Sequence, residues 1–205
     1  TYAEWVARWP RWNDRIAAMA PAVLEQLPRR FRPRCRVVGD LMADLSDDAK
    51  GRDPLPEGLW VALMPGSKPA KLRVGMPFLV ETADRLAAQQ PDCHFLLPVA
   101  PTTNPEELIR FSGVTNAIAS SYRGGIHSLL PADEHWPWRR LLTHASTVIH
   151  LQEDPPAHAA LSQCALALTT VGANTAELGA LGVPMIVLVP TQHLEVMQAW
   201  DGGLG

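Results

Sequence analysis

The stretch from Ala165 to Pro190, ALALTTVGANTAELGALGVPMIVLVP, constrains the fold more than any other part of the chain. Its apolar opening, Ala165 to Thr170, predicts a buried strand. Gly172 and Asn174 then interrupt the run with residues that tolerate the backbone of a tight turn. Asn174 and Thr175 carry side-chain oxygens suited to capping. They predict a short helix, Thr175 to Leu181, with Glu177 in its first turn, where the helix dipole favours negative charge. Gly182 and Pro184 close that helix, and Met185 to Val189 predicts a second buried strand. Strand, glycine turn, helix and strand in so short a run make a βαβ unit. Such a unit requires parallel pairing and places a ligand crevice at the carboxyl ends of the strands.

The rest of the chain repeats the alternation. Arg36 to Gly39, entered from Cys35, predicts a short strand, and Leu59 to Met64 a buried one. Ala70 to Gln90 shows apolar residues at helical intervals (Leu72, Met76, Leu79, Val80, Ala83, Leu86, Ala87), and Pro91 stops it. Cys93 to Val99 is strand-like, Pro105 opens a short helix to Phe111, and Ser146 to Leu151 returns to the strand pattern. Asp154 is placed to cap a helix from Pro155 to Gln163. Between Ser112 and Trp138, Gly124-Gly125, Pro131 and Pro137 predict turns and weak strands. The sum is an α/β fold, a doubly wound, Rossmann-like parallel sheet of about six strands. A helical segment over residues 1–34 is expected to precede the domain at 35–205. Its Trp5, Trp9 and Trp12 share one helical face, suited to packing on a further domain.

Two glycine turns carry the candidate chemistry. Pro65-Gly66-Ser67-Lys68 follows a strand and enters a helix. There Gly66 lets backbone N–H groups approach a phosphate, and Ser67 and Lys68 add a hydroxyl and a cation. The motif is neither GxxxxGK[ST] nor GxGxxG, and an ordinary βα turn uses the same residues. Gly172, Asn174, Thr175 and Glu177 form the second turn, where a carboxylate suits a ribose diol. After the last strand come Gln192, His193, Glu195 and Gln198. The glutamine amides both donate and accept, and so suit sugar hydroxyls. His127 and His150 read as structural.

No HExxH, GxSxG, paired Cys/His cluster or Asp-rich loop appears, so no metal or other cofactor is expected and no catalytic base stands out. A net charge of −3 gives no nucleic-acid footprint, although Arg29, Arg30, Arg32, Arg34 and Arg36 cluster locally. Cys35, Cys93 and Cys164 lack CxxC spacing and read as buried thiols of a reducing compartment. No apolar run reaches the roughly 18 residues of a membrane span. The chain starts at Thr1 and ends in an unclosed helical pattern, as if cut from a longer protein.

With these motifs together, LMPGSK after a strand, VVGD upstream, FLLPVAPT, and ALTTVGANTAELGALGVPMIVLVPTQ, the chain resembles the C-terminal, donor-binding half of lipid-A-disaccharide synthase and its cyanobacterial relatives. TQHLEVMQAW is also similar to the QH-acidic-x-x-Q pattern of the peptidoglycan N-acetylglucosaminyltransferase that acts on lipid I. The resemblance implies half of a GT-B glycosyltransferase that inverts the anomeric centre and takes a UDP-N-acetylglucosamine-like donor. It places Pro65, Gly66, Ser67 and Lys68 at the diphosphate, Gly172, Asn174, Thr175 and Glu177 at the ribose helix, and Gln192 and Gln198 on sugar hydroxyls. Lys68 stands where the family has Arg, so the positive charge is kept without the guanidinium's two-pronged grip on a phosphate. Asp40 and the VGANT turn also depart from the family pattern, which leaves the acceptor open. The acceptor site and catalytic base are expected in an N-terminal Rossmann domain that this chain lacks, so the chain alone is expected to be inactive. The implied setting is cytoplasmic, with peripheral membrane or lipid-acceptor contact by the whole protein. Two readings stand beside this one: a non-hydrolysing UDP-N-acetylglucosamine 2-epimerase-like domain, and a non-catalytic interaction module. A dinucleotide dehydrogenase is disfavoured by the missing GxGxxG.

Overall fold

In the computed structural model, which describes residues 15–39, 45, 55–113 and 115–189, the chain divides into two units, Thr1–Leu45 and Ser46–Gly203. The smaller unit contains β1 (Ile16–Ala18), α1 (Pro21–Gln26) and β2 (Cys35–Val37). β1 and β2 pair in parallel, Ile16 opposite Cys35, so α1 is the crossover of a small βαβ. Pro21 suits its first turn, where no N–H is needed. Leu27 and Phe31 are buried against Ile16 and Cys35. The basic cluster is partly absorbed here: Arg32 donates to the carbonyls of Leu27 at 2.9 Å and Glu25 at 2.6 Å, and the Arg30 guanidinium lies 4.8 Å above the Phe31 ring. The strand from Cys35 therefore joins the N-terminal residues, where the sequence suggested a boundary between 34 and 35. Its partner is the short apolar run Ile16–Ala18, which helical periodicity had hidden. Trp5, Trp9, Trp12 and Asp40 lie outside the described residues.

The larger unit runs β3 (Leu59–Met64), α2 (Pro69–Gln89), β4 (Cys93–Pro98), α3 (Pro105–Ser112), β5 (Ile126–Leu130), β6 (Arg140–Thr143), β7 (Val148–Gln152), α4 (His158–Leu161), β8 (Leu166–Thr170), α5 (Ala173–Ala180) and β9 (Met185–Leu188). Its strands form a single seven-stranded sheet, order β5-β6-β7-β4-β3-β8-β9. From β7 to β9 every pairing is parallel, while β5 and β6 form an antiparallel flap on one edge. The crossover after β3 leads to β4 on one side and that after β8 leads to β9 on the other. The chain thus reverses its winding between β3 and β8, the position where such sheets open a crevice.

One face of the sheet buries an aliphatic core, including Leu63, Leu97, Leu141, Ile149 and Leu151, against Met76, Leu79 and Val80 of α2 and Leu108 of α3. The other face is aromatic. Trp60 stacks on His94 with centroids 4.9 Å apart and on Trp136 at 5.6 Å, and His150 meets Trp136 edge-on at 4.9 Å. Burial there pushes the His150 imidazole down to about 4, and its Nδ1 is buried without a partner. Removal of surrounding water disfavours its charged form.

Pro77 lies inside α2 and has no N–H to offer the carbonyl of Arg73 one turn back. Buried Asn116 supplies the missing donor, with Nδ2 2.6 Å from that carbonyl. This bond ties the segment after α3 to the middle of α2.

Three local expectations are corrected. The helix expected from Pro155 is confined to His158–Leu161; Pro155 precedes a second proline, a setting that disfavours helical backbone. The final strand is not buried: Ile186 is 52% and Val187 40% exposed, because β9 pairs only with β8 among the described residues. The strand expected from Arg36 pairs in the smaller unit, and the seven-stranded sheet gains two others: β5, within the stretch expected to hold only weak strands, and β6, where none was expected.

Candidate functional site

The two glycine turns lie side by side because their strands do. β3 and β8 pair with Met64 opposite Thr169, so the residues that follow each strand emerge at the same end of the sheet. Thr170, buried, donates from Oγ1 to the carbonyl of Pro65 at 3.3 Å and links the turns directly. Gly66, at φ +96°, and Gly172, at φ +157° with ψ −165°, take backbone conformations that L side chains rarely adopt.

Between them opens a cleft of about 220 Å³ that gathers Pro65, Gly66 and Ser67 from the first turn and Asn174 and Glu177 from the second. Further walls come from Pro98 at the end of β4 and Val99 to Pro101 after it, Gln152 at the end of β7, and Pro155, Pro156 and Ala157 before α4. Every contributing strand end is a carboxyl end. Of the residues singled out by sequence, these five meet in one cleft. Lys68 is the exposed N-cap of α2 and makes no side-chain capping bond. Gln192 and Gln198 lie outside the described residues.

The second turn differs in detail from its expected form. α5 begins at Ala173, with Gly172 itself in the N-cap position and no side-chain cap. Thr175 Oγ1 donates back to the Gly172 carbonyl at 2.7 Å. Gly172 turns the chain sharply enough for Ala173, a strong helix former, to start the helix at once. Glu177 consequently sits in the second helical turn rather than the first, and the dipole alone does not account for it. Instead its Oε1 lies 3.0 Å from His158 Nε2 of α4, which holds the carboxylate at the cleft wall. His158 Nδ1 is buried without a hydrogen-bond partner.

Motif spacing also passed over Lys71, in the first turn of α2. Its Nζ donates to the Val171 carbonyl at 2.5 Å, spanning from one turn to the other. Burial, and secondarily the charge of Lys68, hold its amine below the ordinary lysine range. A lysine three residues beyond PGSK, at the dipole end that repels cations, was the available signal. His127 and His150 do not line the cleft. Among the described residues no group of acidic, histidine or cysteine side chains is placed to hold a metal ion, and no helix is long and apolar enough to cross a membrane.

No protein-family model matches the chain. Curated relatives do. It is 48% identical over 42 residues to the lipid-A-disaccharide synthase of Anaeromyxobacter dehalogenans (strain 2CP-C), covering 20% of this chain and 11% of that enzyme. The likeness is to lipid-A-disaccharide synthases. The same enzyme from Aeromonas hydrophila is 31% identical over 108 residues, 46% of this chain and 28% of the enzyme. The chain therefore spans well under two thirds of the synthases it matches. Among solved structures, a putative UDP-N-acetylglucosamine 2-epimerase from Listeria monocytogenes shares the fold, with a TM-score of 0.51 over 91% of this chain and 45% of that one at 18% identity. The synthase likeness and the shared fold agree with a mostly parallel Rossmann-like sheet.

Proposed function

We propose that the larger unit is the nucleotide-sugar-binding domain of an inverting glycosyltransferase similar to lipid-A-disaccharide synthase, with a UDP-N-acetylglucosamine-like donor. The observation that carries this reading is the convergence of Gly66-Ser67 and Asn174-Glu177 on one cleft at the winding reversal of a parallel sheet. Backbone N–H groups of the two turns suit the diphosphate, and the Glu177 carboxylate, steadied by His158, accepts from the ribose diol. Gln192 and Gln198 would read the sugar. In transfer, an acceptor hydroxyl attacks the anomeric carbon while N–H groups and helix dipole stabilise the departing diphosphate. The cleft is smaller than the roughly 300–1,000 Å³ of a complete small-molecule site. A companion Rossmann domain supplies the opposing wall, the acceptor site and the base, and the whole protein works on the cytoplasmic side, touching a membrane-borne acceptor.

Calorimetry with UDP tests the reading. Measurable binding that weakens at least tenfold in Glu177→Ala is expected, the loss of about two hydrogen bonds to a charged acceptor. Absence of UDP binding would favour a non-catalytic module. The 205-residue chain is expected to transfer nothing by itself. Product analysis with the companion domain present separates transfer from inversion at C2, the epimerase outcome.

A further inference from the structure

The cleft is polar at one end and apolar at the other. Among the described residues that line it, only Ser67, Gln152, Asn174 and Glu177 carry a hydroxyl, amide or carboxylate. Three of these belong to the glycine turns. The fourth, Gln152, ends β7, and β7 lies two strands from β3, roughly 10 Å at the usual strand spacing. Its neighbours in the wall, Pro98, Val99, Ala100, Pro101, Pro155 and Pro156, offer flat apolar surface, and the prolines among them have no N–H. Gln152 is 5% exposed and is held at both ends. Its backbone carbonyl accepts from the Val99 N–H at 2.9 Å, and its side-chain Nε2 donates to the Asp154 carbonyl at 3.1 Å. A carbonyl can only accept, so the second bond fixes which way the amide faces and turns Oε1 away from it. That oxygen bonds to none of the described residues. Among them, the polar side-chain atoms buried without a partner belong to Arg140, His150 and His158. Oε1 therefore keeps open space beside it, and the space that Gln152 lines is the cleft.

A ligand that fills both ends needs several acceptor oxygens for the turns and, two strands away, a planar apolar group with an N–H on its edge. A purely aliphatic group there would strip water from the Gln152 oxygen and leave it unpaired, which is costly. A nucleoside diphosphate has both parts, and the pyrimidines differ at the edge that matters. Uracil carries a hydrogen on N3, whereas cytosine presents a bare N3 acceptor. We propose that Gln152 reads the base of the bound nucleotide, its Oε1 accepting from N3–H, and so selects uracil over cytosine. This inference rests on the nucleotide-sugar reading of the cleft and adds the residue that decides which nucleotide enters. His158 agrees with the placement. It meets Glu177 at 3.0 Å from α4, which directly follows the wall residue Ala157. The carboxylate assigned to ribose is thereby tied to the side of the cleft assigned to the base.

Calorimetry on the 205-residue chain compares UDP, CDP and UDP methylated at N3. Wild type is expected to bind UDP about tenfold more tightly than either of the others, the worth of one hydrogen bond together with the acceptor left unpaired. Gln152→Met keeps the length of the side chain and loses its oxygen. That variant should bind all three within about twofold of one another, since no side-chain acceptor is left to tell the edges apart. Glu177→Ala should instead weaken UDP and CDP alike and keep their ratio, because the ribose is the same in both. Because Gln152→Met alters a buried position, the N3-methyl comparison on the unmodified chain tests the hydrogen bond without any variant. If wild type binds CDP or N3-methyl UDP as tightly as UDP, or if a folded Gln152→Met keeps the preference, the proposal is overturned while nucleotide binding stands. If wild type binds no nucleotide, the reading of the cleft falls and this inference with it.

Discussion

The turn after β3 enters a helix of 21 residues, whereas the turn after β8 enters one of eight. The first starts with Pro69 in its opening turn and a long amphipathic stripe behind it. Neither has a side-chain cap, but the second has no proline and only Leu178 buried. Their glycines are required for different reasons. A Cβ at Gly66 would meet the Lys71 Cδ at 2.8 Å, its Cβ at 3.0 Å and Thr170 Oγ1 at 3.4 Å, so it would press on atoms fixed near the backbone. A Cβ at Gly172 would meet only the Lys71 Nζ, the far end of a flexible chain. One glycine serves the packing of the turn and the other serves the position of a charge. Similar turns thus divide the work between holding shape and leaving room for a lysine side chain.

Alanine at each position breaks or sharpens that contrast. Gly66→Ala is expected to show the largest effect, a stability loss of about 3 kcal/mol from backbone strain together with overpacking, read by urea denaturation. A loss within about 0.5 kcal/mol, the range of an ordinary surface change, would mean the two turns do not differ.

The scaffold beneath both turns has its own signature, which keeps the comparison clean. His150 lies outside the cleft, and its imidazole is pushed down to about 4 by burial. At neutral pH it is uncharged whether folded or not, so it contributes nothing there. Below about pH 6.5 the unfolded chain takes up a proton that the folded one refuses. Stability therefore falls from about pH 6.5 down to about 4, by on the order of 3 kcal/mol, and then levels as the folded form also protonates. His150→Gln should remove this slope. The slope should be the same in wild type and in Gly172→Ala, since the second turn takes no part in it.

Gly172→Ala itself is expected to lose only about 1–2 kcal/mol of stability, the backbone strain alone, while displacing the Lys71 ammonium. Its UDP affinity should fall more than its stability suggests.

How much of this could be read from residues alone divides along the same line. β3, Leu59–Met64, was legible to the residue because an unbroken apolar run between loop residues has few other readings. α2 was legible because its stripe is long. The cleft itself was legible from two glycine turns following strands, since parallel pairing of β3 and β8 forces their ends together. The start of α5 was not, because Asn174 and Thr175 look like caps and the backbone of Gly172 decides otherwise. Lys71 and His158 were missed since their roles depend on partners about 100 and 19 residues away, Val171 and Glu177, and local pattern carries no trace of such pairings. Of the antiparallel edge, β5 fell within the weak strands expected between Ser112 and Trp138, whereas β6, only four residues long, carries too short a pattern to show a period.

The smallest effect tests whether the turns are coupled at all. Thr170 Oγ1 reaches the Pro65 carbonyl at 3.3 Å, a long hydrogen bond, and valine matches threonine in shape without the donor. Thr170→Val should therefore lower stability by about 1 kcal/mol, the usual net worth of such a bond plus the partly unsatisfied carbonyl. The β3–β8 ladder, with Met64 opposite Thr169, remains to hold the strand ends in register. If the hydroxyl matters to the site, UDP affinity should fall a few-fold along with stability. The effect of Gly172→Ala on binding should then be smaller in the Thr170→Val background than in wild type, because neighbouring sites that share a partner are not additive. Strict additivity would show that sheet pairing alone aligns the turns, and that each glycine meets the ligand independently.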